Sequence, residues 1–267
     1  MKIDFRQNIA AIISAAAAGG VFILLLFLLE WSIFIDIPAA IGTVTLTDGV
    51  YYADMEKLTE KITSGVTWAD AGLPELYGNV SVDTTDPVRS NSGNMFAALL
   101  ANVLCGGRTA DEESLTEIMP QLKAIFADLG YMETSSSDLF NQFIRTGIGA
   151  KPIIAGYENQ LLEYAAENPS QYEKPADDIV IIYPTPTVWS THIYIALDET
   201  GKQGAAALFD EKIQQLAWEK HGFRTSGCDI SSEGGVTVNG IAPELNAVIN
   251  MPDYRVMKKI MEELEEQ

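Results

Sequence analysis

Thr84-Thr85-Asp86-Pro87-Val88-Arg89-Ser90-Asn91-Ser92-Gly93-Asn94-Met95-Phe96 is the stretch on which the reading of this chain turns. Before it, Asn79-Val80-Ser81-Val82-Asp83 alternates as a strand does. After it, Met95 to Leu104 has the apolar spacing of a buried helix. The loop between carries Pro87, hydroxyls, an amide and a glycine. Ser and Asn are good N-caps, and Gly93 allows close approach to the backbone. A strand that runs through such a loop into a helix start makes a small anion site, because unpaired N–H groups and the helix dipole both face the loop. The alternative is an ordinary capped helix after a turn.

The chain has 267 residues, enough for one large domain or two lobes with a real core. Its formal charge of −20 argues against nucleic acid, which demands clustered Lys and Arg, and against anionic lipid surfaces. Cys105 and Cys228 match no metal-ligand spacing; a long-range disulfide and two unpaired thiols both remain open.

Ile9 to Leu29 contains no charged residue, the length a membrane-spanning helix needs. Lys2 and Arg6 precede it and an acidic chain follows, so residues 1–8 are expected in the cytoplasm and the bulk outside the cell membrane. Residues 9–35 thus read as an uncleaved, single-pass signal anchor. A cleaved signal peptide is the competing reading.

Farther on, Ile41 to Gly49 is a β-prone stretch ending in a turn, Tyr52 to Ile62 a helix, and Thr67 to Pro74 a short helix. Helices are predicted towards Leu129 from Thr109, over Leu139–Arg145 behind a Ser135–Asp138 cap, and from Tyr157 to Ala166. Lys151–Ala155 and Ile193–Leu197 are expected strands, and Ile179–Pro184 a central one. Lys202 to His221 reads as one amphipathic helix, 227–240 as loop or hairpin, and Pro252 to Glu266 as a final helix. This order predicts an α/β architecture with mainly parallel pairing.

Catalytic patterns are missing: no nucleophile elbow, phosphate loop, dinucleotide fingerprint or zinc spacing. The only histidines are His192 and His221. Asp86 and Glu158 are the single imaginable acid–base pair, and sequence does not bring them together. No catalytic residue, metal or cofactor is expected, and the chain is not read as an enzyme.

Several segments together carry a resemblance: Thr84 to Leu104, Ser135 to Phe140, Gly156 to Gln160, Tyr183-Pro184-Thr185-Pro186-Thr187, and Leu216 to Arg224. In this order they resemble bacterial extracellular solute-binding proteins of the type II periplasmic-binding fold, in the branch of molybdate-like oxyanion binders. The resemblance covers roughly Tyr51 to Arg224. It implies two α/β lobes closing on a small anionic solute and handing it to an ABC-type transporter permease. The implied ligand-binding residues are Ser90, Asn91, Ser92 and Gly93, then Ser135 and Ser136, then Tyr157 with Glu158. Neutral donors of this kind suit a desolvated oxyanion such as molybdate, tungstate or phosphate.

One departure accompanies the resemblance. In that fold the first lobe runs for several strands and helices before a loop like 84–93, whereas here the apolar segment gives way to it within about fifty residues. The expected organisation is therefore a second lobe at 77–182, a partial first lobe from 41–76 and 183–226, and a loop and helix at 227–267. The opening strand and its ligand loop are missing, and Thr43, Thr45 and Thr47 are weak substitutes. Three functional readings follow: a membrane-anchored oxyanion-binding protein, a sensor or scaffold whose binding fold has lost its ligand, and a hydrolase or transferase using Asp86 and Glu158.

Overall fold

A computed structural model of the chain describes residues 19–27, 41–147, 151–173, 179–191, 194–225, 238–245 and 247–266. These residues form a mixed α and β structure in two compact units. The larger is drawn from Phe22–Gly156, Glu173–Val188 and Asn239–Gln267, the smaller from Met1–Val21, Tyr157–Tyr172 and Trp189–Val238. The segments 41–76 and 77–156 share the larger unit.

In the larger unit β2 (Val44–Thr47) and β3 (Val50–Asp54) form an antiparallel hairpin. Asp48 and Gly49 make its turn with φ of 50° and 81°, the left-handed pair that a two-residue hairpin favours. The turn commits Tyr52 to pairing with Thr45, so the helix expected from Tyr52 begins only at α1 (Met55–Thr63). Asp54 caps it, accepting the Lys57 N–H at 3.1 Å. β3 also pairs in parallel with β5 (Ile179–Thr185), whose unbroken apolar run suits a strand covered on both faces.

On its other side β5 pairs antiparallel with β1 (Gly19–Phe27), which β4 (Ile153–Tyr157) also joins. Strand β1 occupies nine residues where the sequence predicts a membrane helix. An unbroken apolar run lacks the periodicity that separates a helix from a buried strand. No helix among the described residues is long and apolar enough to cross a membrane. The remainder of 9–35 lies outside the described residues. Pairing is mixed rather than mainly parallel, because the hairpin and β1 both run against their neighbours.

Residues 79–83 form no ladder, only the isolated bridges Thr67↔Asn79 and Asp83↔Ile154. Thr67 to Pro74 is a set of turns around buried Trp68, not a helix, as Asp70 binds back to Thr67 in a closed local loop. The core element is α2 (Asn91–Leu104), buried from Ser92 to Val103 except at Asn94. It packs against α1, α3 (Glu112–Leu129) and α9 (Tyr254–Glu265). Val256, Ile260 and Leu264 supply the buried side of α9, as expected. Fully buried Leu or Phe side chains such as Leu99 and Phe96 each contribute roughly 1.5–3 kcal/mol. α4 (Ser136–Thr146) follows α3.

The smaller unit holds α5 (Glu158–Glu167), α6 (Pro169–Tyr172), α7 (Glu199–Leu208) and α8 (Glu211–His221). The first residues of β1 pair there with the end of β6 (Thr187–Thr191), Val21 opposite Trp189. The expected strand at Ile193–Leu197 is replaced by β6, whose β-branched residues favour extension, and Tyr194 to Leu197 is irregular. His192 and Ile193 lie outside the described residues. The single helix expected over Lys202–His221 is two, because Asp210 accepts N–H groups of Lys212 and Ile213 and starts α8 afresh. α8 packs on α5 and ends at Gly222, φ 66°. A Cβ at Gly222 would lie 2.4 Å from that of Leu162, so this contact needs glycine. In the larger unit, β6 begins beside β7 (Val248–Ile249), and Cys105 is buried. Cys228 and residues 226–237 lie outside the described residues.

Candidate functional site

The loop before α2 folds back over the first turn of that helix. Ser90 is the N-cap in extended conformation, but its hydroxyl makes no cap bond. It lies 3.0 Å from the Ser92 hydroxyl, which lies 2.7 Å from the Thr85 hydroxyl. Three hydroxyl protons serve two bonds in this chain, so one proton is left for a further acceptor. Thr84 and Thr85 are buried, and the Thr84 hydroxyl has no hydrogen-bond partner among the described residues. Gly93 acts differently from expectation. A Cβ there would lie 2.1 Å from the Thr85 carbonyl oxygen, so the missing side chain makes room for the loop rather than for a ligand. Asn91 is exposed, and its side-chain N–H faces the Met95 sulfur at 3.5 Å.

Asp86 shapes the loop. Its Oδ1 accepts the N–H groups of Val88 and Arg89 at 2.8 and 3.2 Å, an Asx turn, and Arg89 Nε stands 3.5 Å from Oδ2. The Asp86 N–H donates to the Glu133 carbonyl at 2.8 Å. That bond ties the loop ahead of α2 to the turn ahead of α4, where Ser135 caps with its hydroxyl towards the Asp138 N–H at 3.4 Å. The structure thus gathers the segments of Ser90, Ser92, Gly93, Ser135 and Ser136 in one unit. Ser136 is half-buried as the first residue of α4.

Tyr157 and Glu158 belong to the smaller unit. The Tyr157 N–H donates to the Gln160 side chain at 3.2 Å. Glu158 is fully buried, and both its oxygens are held by Arg224, from Nε and Nη2 at 2.7 Å each. This fork joins the start of α5 to the segment after α8. Beside it His221 Nδ1 lies 2.6 Å from Glu163 Oε1. Asp86 and Glu158 each have partners of their own, Asp86 in the larger unit and Glu158 in the smaller.

Just before the loop, Asp83 exchanges backbone bonds with β4 and pairs with Lys151, both side chains mostly buried. Burial raises the Asp83 carboxyl above its ordinary value, outweighing the opposite pull of Lys151. Sequence reasoning missed this pair, the Thr85–Ser92 hydroxyl contact and the Arg224 fork. Each joins positions whose approach depends on the fold; only the hydroxyl richness of 84–92 was a readable signal. Compared with known proteins, the chain matches no family model and no curated protein.

Proposed function

We propose that this protein is an extracytoplasmic binding protein for a small oxyanion such as molybdate, tungstate or phosphate, anchored by its N-terminal apolar segment and serving an ABC-type permease. The observation that carries the reading is the Thr85–Ser92–Ser90 hydroxyl chain at the start of α2, with one proton to give and a buried Thr84 hydroxyl beside it in sequence. Helix N–H groups and hydroxyls bind a desolvated anion without lysine, which fits a chain so acidic. The test is a thermal-shift screen of the full chain against molybdate, tungstate, phosphate and sulfate. A saturating rise in Tm with one of them is expected, because a ligand of the folded state stabilises it by mass action. A flat response from a cooperatively melting protein counts against the reading.

The uncharged run Ile9–Leu29 supports the anchor, whereas nine of its residues pair as β1 in the structure, and a strand held in the sheet and a membrane span exclude each other. Retention in the membrane pellet after alkaline extraction is expected; release would overturn the anchor. A second reading has its own support. Glu158, one of the expected ligand residues, is spent on Arg224, as in a sensor or scaffold whose site has lapsed.

A further inference from the structure

The face of the sheet around the β2–β3 hairpin carries an arrangement that the oxyanion reading does not use. Side chains alternate along a strand, so Thr43, Thr45 and Thr47 share one face. Register puts Tyr52 opposite Thr45 and Val50 opposite Thr47. On the next strand Tyr183 stands opposite Tyr52 and Thr185 opposite Asp54, and the two tyrosine rings are 6.1 Å apart. The Tyr183 hydroxyl accepts the Ala242 N–H at 3.0 Å, which brings Pro243 and Glu244 over this face.

On this face lies an open cleft of about 600 Å³, lined by Thr45, Thr47, Tyr52 and Thr185 with Asp48 and Glu244 among its walls. That volume lies within the roughly 300–1,000 Å³ of small-molecule sites. Thr45 and Thr47 are exposed at its mouth, and Val50 beside them is buried. Next to the lining on the same face, Thr43 is 2 % exposed and its hydroxyl has no hydrogen-bond partner among the described residues.

The chemistry of the lining selects the guest. Threonine hydroxyls both donate and accept, carboxylates accept from a ligand's O–H groups, and the Tyr52 ring offers an apolar face. Among the described residues no Lys or Arg lines the cleft, and Asp48 and Glu244 repel an anion. We propose that this cleft is a second binding site, for a small neutral carbohydrate. It goes beyond the oxyanion reading, stands on different residues, and survives or fails apart from it.

The test uses the full chain in lipid nanodiscs, free of sugar-based detergent, titrated with methyl β-D-glucoside, methyl α-D-mannoside and cellobiose. Ligand-observed NMR and calorimetry read the binding. The wild type should bind at least one of them saturably. The Thr45→Val/Thr47→Val double variant keeps the shape of two exposed strand positions and removes two hydroxyls; it should bind that sugar roughly tenfold more weakly. Ser92→Ala should bind it as the wild type does. Absence of saturable binding by the wild type, or unchanged affinity in the double variant, would overturn the proposal.

Discussion

Gly93 has a specific job: it lets the Thr85 carbonyl lie where any side chain would stand. The obstacle is backbone, which cannot swing aside as a side chain does. Gly93→Ala should therefore cost about 1–3 kcal/mol of stability, the usual penalty for overpacking. Urea unfolding reads this directly, and an unchanged midpoint would mean that the loop has slack. Because Thr85 must move, the same variant should weaken oxyanion binding along with the hydroxyl chain. Neighbouring Ser92 differs, since Ser92→Ala removes the middle hydroxyl and leaves room for the loop.

Between elements, the Glu158–Arg224 fork joins α5 to the segment behind α8. Arg224→Met takes the guanidinium away from a fully buried carboxylate, and should cost about 3–5 kcal/mol. Replacing both, Glu158→Leu with Arg224→Met, should recover most of that loss in the same chemical-denaturation experiment. If the double variant is no better than the single, the fork is not an isolated pair. Elements were legible in the sequence where local chemistry decides them. The Ser135 cap, the helix behind Thr109 that became α3 and the apolar stripe of α9 are of this kind. They were misread where a competing local signal won: the Asp48-Gly49 turn that made Tyr52 a strand residue, and the Asp210 cap that split one helix into two. Of the candidate site, the hydroxyl-rich loop was visible. The partner of Glu158 was not, because an arginine 66 residues away leaves no trace in spacing.

At the scale of the whole molecule, the shifted carboxylates among the described residues should lower stability in acid, with Asp83 opposing them. Hydrogen bonds and charges hold Asp54, Asp70, Asp111 and Glu263 below their ordinary values: Lys57 for Asp54, Thr67 for Asp70, Ser114 for Asp111 and Lys123 for Glu263. What these groups contribute is present above the unfolded values of 3.8 and 4.5 and is lost as pH falls through the lower folded ones. Asp83, raised by burial, has the opposite sign: its effect favours folding as pH falls from its folded value towards 3.8. Stability measured by denaturant unfolding should thus fall on acidification, and fall more steeply in Asp83→Asn. An equal or shallower slope in that variant would contradict the assignment. The most direct test of the account lies at the start of α2: calorimetric titration of wild type and Ser92→Ala with molybdate, tungstate, phosphate and sulfate. Saturable binding of at least one anion by the wild type, weakened at least roughly tenfold by the loss of the central hydroxyl, is the predicted result. No binding by the wild type, or equal affinity in the variant, would contradict it.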